Sequence, residues 1–514
     1  VEEAQSRETT MKRIRSKTGR STGYVILLIA IITTIVCWDE LGSLVRTGNY
    51  DNPDHMVETI MDKSATPGVA MVVSEQGKTE FKNFGYADVN HKKRVTEESL
   101  FELGSTTKAF TALAIILLEN EGYLSLSDSI TDYIPWFEPT LKGEKVNMTI
   151  SQLLAHTSGI PPWSIRLIPE GTTGDLLEKT IHNISDIALD TYPGTAYHYA
   201  TVNYDILAMI IEKVTGKRYQ DYLTDSILVP LGMRDSYFST GQEKESDQLT
   251  QGYRVFFGRS IEYDAPRYYG NIAAGYLVTN SKDLERWINA QMGIGDIPDH
   301  LLNAIQQSHQ VDIKTAGYVD ENQYYSFGWS VDTKSNVVSH NGANPNYSSK
   351  VIIDLDKRQA IFVLANLNST APSLIANNIY ENMNGNPMRR FRYDDEYLLI
   401  DLVFSFLALI AVVILCLQAI KLFRGIKLDL HDEKTRIRIK TRSSIALILK
   451  IILLVFVMIW PYLINHNYFV IEVWMSHSIL IWMGLAAISC ILSIIMNIKT
   501  LHALKASRSR PFVA

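Results

Sequence analysis

Cysteine is nearly missing. Among 514 residues there are three, Cys37, Cys416 and Cys490, and each sits inside a long apolar run. The stretch between those runs must therefore fold without disulfides. No CxxC pair and no HExxH occurs, so the sequence gives no support for a metal site, and no cofactor is expected. A surplus of basic residues is lacking too. The formal net charge of -6 argues against general nucleic-acid binding. No internal repeat and no low-complexity segment divides the chain.

Hydrocarbon, by contrast, is plentiful and unevenly spread. The run "YVILLIAIITTIVCW" at 24–38 follows Lys12, Arg13, Arg15, Lys17 and Arg20, which reads as a signal peptide or signal anchor, with Met11 a candidate start. Three further runs, near 398–420, 443–464 and 473–498, each approach the ~20 residues of a bilayer-spanning helix. Lys421, Arg424, Lys427, Lys434, Arg436, Arg438, Lys440 and Arg442 lie between the first two, so that loop is expected in the cytoplasm. The link "NHNYFVIE" has no Lys or Arg, and the tail is basic again. Asp401 and Lys450 are the ionisable residues to check in these spans, both near enough to span ends to snorkel. The expected organisation is a cytoplasmic basic N-terminus with a signal segment over 1–44, an extracytoplasmic domain over 45–395, and three transmembrane helices over 396–514. The chain is then a multi-pass membrane protein whose constant partner is the lipid bilayer.

Within 45–395, "GVAMVVSEQGKTEFKNFGYAD" predicts two antiparallel strands about Gln76-Gly77, and "NYDILAMIIEKVTG" a helix over 203–216. Strands return at "YSFGWSVD", "NVVSHNG", "SSKVIIDL" and "QAIFVLANL". Early and late strands around a helical middle predict one antiparallel sheet closed by both ends of the domain, with helices against it. Inside "FELGSTTKAF", Ser105 and Lys108 are three apart at the start of an apolar helix. That spacing puts both on one face, where a lysine with a depressed pKa can take the serine's proton. The plain alternative is a helix cap followed by a solvated lysine.

Six segments decide between them: "FELGSTTKAFTALAI", "ISQLLAHTSGI", "PGTAYHYATVNYDILAMIIEKVTGK", "VPLGMRDSYF", "NIAAGYLVTNSKDLERW" and "VSHNGANPNYSS". In this order the chain resembles the serine β-lactamase and penicillin-binding-protein superfamily, in its class C-like branch. The resemblance implies an α/β (α+β) fold, an antiparallel sheet flanked by helices plus an all-helical domain, followed here by the three-helix transmembrane bundle. It implies Ser105 as the acylated nucleophile, Lys108 as its base and Tyr199 as the proton relay, with Lys108 lowering the phenol's pKa or accepting its hydrogen bond. "HNG", His340 to Gly342, stands where the family has KTG. Gly342 would let substrate approach the strand edge, and the N–H groups of Ala343 and Ser105 would form the oxyanion hole. Thr201 stands where the family's YxN pattern has Asn.

The chain further resembles the membrane-bound prodrug-maturation peptidases of nonribosomal-peptide pathways, as in colibactin and zwittermicin biosynthesis. That likeness implies an N-acyl-D-Asn peptide prodrug as substrate, an exporter that delivers it, and Asn344, Thr201 and Asn271 as readers of the asparagine side chain, with Glu102 orienting them. A carboxamide offers donors and acceptors together, so a site selecting it needs both kinds of partner. The readings beside it are a D-alanyl carboxypeptidase or teichoic-acid D-alanyl esterase of the wall, and a sensor acylated at Ser105 that does not turn over.

Overall fold

The computed structural model describes residues 46–239, 246–391, 395–424, 433–463 and 468–506. The expected signal segment and the 425–432 part of the basic loop lie outside them. One antiparallel sheet organises the domain: β1 (Gly68–Glu75), β2 (Lys78–Asp88), β3 (Lys93–Arg94), β4 (Gly317–Asp320), β5 (Gln323–Ser326), β6 (Trp329–Asp332), β7 (Val337–Asn344), β8 (Tyr347–Asp354) and β9 (Gln359–Ala365). Its spatial order is β4-β5-β6-β7-β8-β9-β1-β2-β3. β9 pairs with β1 from Gln359↔Glu75 to Ala365↔Val69, so the late strands close onto the early hairpin as the sequence predicts. "YSFGWSVD" departs from expectation. It is a hairpin rather than one strand, because Phe327 and Gly328 both take positive φ and reverse the chain between β5 and β6.

The helices that position the site and the bundle are α1 (Pro53–Ser64), α2 (Lys108–Asn120), α3 (Val202–Thr215), α4 (Ser281–Gln291), α5 (Ala371–Met383), α6 (Glu396–Phe423), α7 (Glu433–Leu463), α8 (Tyr468–Trp474) and α9 (His477–Ala506). Every residue of β9 is buried, as in a strand covered on both faces. Ala360, Phe362 and Leu364 join the core that holds α2 and α3, while Ile361, Val363 and Ala365 join the one under α1 and α5. α2 is apolar nearly all round and lies inside the first core, where Phe110 stacks on Trp287 of α4 at 3.6 Å between ring centroids.

α6, α7 and α9 are long and apolar enough to cross a membrane. α7 begins at Glu433 rather than near 443, because the basic residues before the apolar run are themselves good helix formers. α9 begins at His477 rather than 473: α8 forms a separate short helix, and the Ser476 hydroxyl accepts from Ser478 N at 3.1 Å to start the next one. A hairpin of strands Tyr253–Phe256 and Arg259–Glu262 docks on this bundle. Asp401 of α6 accepts from the turn N–H groups of Phe257 (3.1 Å) and Gly258 (2.6 Å). It is fully buried, so snorkelling does not describe it; its carboxylate caps the turn. Arg254 donates to the carbonyls of Glu472 (3.0 Å) and Val473 (2.7 Å), its guanidinium 3.4 Å from the centre of the Tyr263 ring.

Removing the acceptor should loosen this junction without disturbing the sheet. Hydrogen bonds to a charged group are worth about 1.5–3 kcal/mol each, so Asp401→Ala should open the 253–262 hairpin. Limited proteolysis of the full chain should then show new cuts within that hairpin and unchanged cuts elsewhere; an unaltered pattern would show that the hairpin does not need the carboxylate.

Candidate active site

Gly104 to Thr107 form one 3-10 turn that runs straight into α2. Neither helix start receives a side-chain capping bond, and Lys108 is fully buried, so the cap-and-solvated-lysine reading does not hold. Two glycines set the closeness of this turn to β7. Gly104 takes φ +59, and a Cβ there would stand 2.5 Å from the amide nitrogen of Ala343. A Cβ on Gly342 would strike the Leu103 carbonyl and the Ser349 hydroxyl. Its missing side chain thus admits the nucleophile turn, and Gly342 also lines the cavity beside Ser105.

The Lys108 amine donates or accepts at three points: Ser105 Oγ at 3.1 Å, Thr201 Oγ1 at 3.1 Å and Ala274 O at 2.9 Å. Burial brings its pKa down to about 7, against an opposing pull from Asp205. A neutral amine has two N–H donors and one lone pair. Ala274 O can only accept, and Thr201 Oγ1, donating to Asn271 Oδ1 at 3.4 Å, accepts as well. Both donors are then used, and the lone pair is left for the Ser105 hydroxyl. This is the arrangement a general base needs.

Tyr199 is partly buried beside this pair, its ring centre 5.2 Å from Lys108 Nζ and its hydroxyl sealed from water. Burial pushes its phenol up, with Ser105 opposing the shift, so desolvation outweighs the lowering expected from Lys108. Apart from this influence of Ser105, its hydroxyl is unpartnered among the described residues. His156, from "LLAHTSGI", was assigned no role from sequence, yet its ring lies 4.2 Å from that of Tyr199. Nδ1 accepts from Asn203 Nδ2 (2.9 Å) and Ala200 N (3.3 Å), so the neutral ring carries its proton on Nε2. Burial holds its pKa well below the usual value. His340 is also neutral, brought down to about 3 by burial and then by the Lys108 charge. Nδ1 donates to Asn341 O at 2.6 Å while Nε2 accepts from Tyr325 OH at 2.9 Å.

The four residues expected to read a carboxamide split into two groups. Thr201 and Asn271 join the Lys108 network, and Asn271 Nδ2 stays unengaged among the described residues. Asn344 does not reach the cavity. It is 2% exposed and donates to Glu102 Oε2 (2.6 Å) and Gly275 O (3.0 Å), with Glu102 paired to Arg267 at 2.9 Å. β6 pairs with β7 only from Val337 to Ser339, so 340–344 runs on without a strand neighbour on that side. A cavity of about 400 Å³ opens there, lined among others by Ser105, Tyr199, His340, Ala343 and Lys350, and by no Asp or Glu. Lys350, opposite Asn341 on β8, is 9% exposed, and burial brings its pKa down to about 8. No sequence signal pointed to it, since a lysine in an apolar strand gains meaning only from the wall it lines.

A family model described as beta-lactamase matches residues 53–382. Protein flp of Staphylococcus aureus (strain NCTC 8325 / PS 47) is 30% identical over 464 residues, which cover 87% of this chain and 90% of flp. Penicillin-binding protein 4* of Bacillus subtilis (strain 168) is 29% identical over 332 residues, 60% of this chain and 70% of the relative. Among solved structures, the octameric penicillin-binding protein homologue from Pyrococcus abyssi superposes with a TM-score of 0.57 at 26% identity, over 65% of this chain and 77% of that one. A class C beta-lactamase gives 0.55 at 22% identity, over 66% and 100%, a likeness of fold.

The Lys108 network fixes the sign of a pH dependence. The amine must be neutral to accept the Ser105 proton, so acylation should rise with pH through about 7 and level off above it. Stopped-flow acylation of the full chain by an activated acyl ester, between about pH 5 and pH 9, reads this directly; a rate that is flat or falls across that midpoint would remove Lys108 as the base.

Proposed function

The chain belongs to the beta-lactamase family, and on that footing we propose that it is a membrane-held serine peptidase that releases an N-acyl-D-asparagine cap from an exported peptide prodrug. One observation carries the chemistry: among the described residues bonded to Lys108, Ser105 has the hydroxyl left to donate to its lone pair. The Ser105 proton passes to Lys108 as Oγ attacks the amide carbonyl. Backbone N–H groups of Ser105 and Ala343 hold the oxyanion. The leaving nitrogen then takes a proton from the Tyr199 phenol, which is unpartnered and held protonated by burial, and Lys108 reprotonates the phenol. Water reverses the sequence to free the acyl cap.

The asparagine reading draws on Asn271, whose unengaged Nδ2 can donate to a side-chain carbonyl beside the Lys108–Thr201 pair. Glu102, tied to Arg267 and Asn344, acts on this pocket as a positioning residue and would oppose a substrate carboxylate. An exporter supplying the prodrug and a catalytic domain facing away from the cytoplasm complete the proposal. The basic residues at the ends of α6 and α7 favour that orientation.

Lys350 favours a second reading. A buried cation in a cavity wall free of carboxylates suits a substrate with a terminal carboxylate, as in a D-alanyl wall peptide. A panel of N-acyl-D-Asn, D-Asp and D-Ala amides, with an acyl-D-Ala-D-Ala peptide beside them, separates the two. D-Asn should be cleaved fastest, and Asn271→Leu should narrow its lead over D-Ala by ~1–3 kcal/mol. Fastest cleavage of the terminal D-Ala-D-Ala peptide, lost in Lys350→Gln, would replace the prodrug reading with the wall enzyme; acylation of Ser105 with no turnover of any substrate would replace both with a sensor.

Tyr199→Phe leaves the ring packing on His156 intact and removes only the hydroxyl. Turnover should fall about 10²-fold or more, with the largest losses on amides, whose leaving nitrogen must be protonated, and smaller ones on activated esters. Equal losses on both would assign Tyr199 a packing role.

A further inference from the structure

The bundle contains a cavity that the hydrolysis does not use. It holds about 580 Å³ and is walled by residues of α6, α7 and α9. Lys421 and Arg424 enter it from the end of α6 and Lys450 from within α7. It lies toward the basic end of the bundle, where Arg436 of α7 donates to Leu504 O of α9 at 2.7 Å. No Asp or Glu lines it. Lys450 does not escape to the surface as a span-end lysine should; it turns inward, with Ser493 O at 3.5 Å. Two polar atoms of the wall, Gln418 Oε1 and Asn497 Nδ2, are sealed from water and unpartnered. The Gln418 amide nitrogen donates to Ser489 Oγ and Ser493 Oγ, both at 2.9 Å, which fixes where its carbonyl points.

Lys421 and Arg424 are exposed at the end of α6 and Lys450 is partly buried, and with no acidic residue among the described residues of the wall the three cations call for an anion to complete the site. The polar atoms that remain offer one acceptor and one donor, the partners of an alcohol or a phosphate ester. Leu417, in the same wall, is 54% exposed on the flank of the bundle, so the cavity is open sideways to acyl chains. We propose that this cavity binds the phosphate of an anionic phospholipid headgroup, with Lys421, Arg424 and Lys450 on the phosphate and Gln418 and Asn497 on the rest of the headgroup. Free phosphate shares the chemistry but gains nothing from the lateral opening.

Native mass spectrometry of the purified full chain, loaded with phosphatidylglycerol or phosphatidylcholine, tests this. Phosphatidylglycerol should be retained and phosphatidylcholine not, and Lys421→Gln, Arg424→Gln and Lys450→Gln together should cut retention at least about tenfold. Lys450→Arg should keep it; should the triple variant fail to fold, Lys450→Gln against Lys450→Arg carries the comparison. Equal retention of the two lipids, or undiminished phosphatidylglycerol in the glutamine variants, would overturn the site. Displacement by excess inorganic phosphate would overturn the lipid as its occupant.

Discussion

An amine that water cannot reach, hydrogen-bonded among the described residues to neutral groups, is the constraint on which this site depends. Lys108 must be dry enough to lose its proton near neutrality, yet Ser105 beside it must stay open to substrate. The fold meets both needs by placing the lysine at the first residue of a helix buried almost on all sides and the serine in the tighter turn just before it. That turn can lie against β7 only because Gly104 and Gly342 carry no side chains where the two meet. Asp205, whose charge would keep the amine protonated, is itself fully buried with no side-chain hydrogen bond among the described residues, and burial pushes its pKa well up. The acid is therefore neutralised along with the base.

The surroundings extend the same logic. His156 and His340 are held neutral by burial, and Tyr199, Tyr204 and Tyr325 are held protonated, so the wall behind the reacting atoms carries little fixed charge. His340 uses both ring nitrogens within the protein and so is not a free cation like the lysine of a KTG strand. The positive charge of the cavity moves to Lys350, one strand over. Under the proposed function, substrate selection would depend on how far that amine and the Asn271 carboxamide each reach the bound molecule.

The apolar helices take part in the domain rather than only tethering it. Val473 packs in the main core, and Phe469 meets Tyr268 edge-on at 5.8 Å, three residues before Asn271. Arg254 and Asp401 fasten the hairpin to the bundle through backbone groups, which fixes position more than sequence.

The sequence by itself determined the architecture and picked out Ser105, Lys108 and Tyr199, which the fold brings together. Closure of one sheet by early and late strands follows from period-two patterning, and the three helices long and apolar enough to cross a membrane follow from length and hydrophobicity, both local properties. Ser105, Lys108 and Tyr199 were legible because their motifs lie in contiguous runs. "YSFGWSVD" misled because a two-residue turn needs only a permissive backbone, and Phe327 adopts positive φ without announcing it. What only the tertiary structure decided is the state and direction of each polar group. The neutrality of His340, the capture of Asn344 by Glu102, the inward turn of Lys450 and the meaning of Lys350 all arise from neighbours distant in the chain. Burial and partner are properties of the packed interior, and no spacing along the chain encodes them.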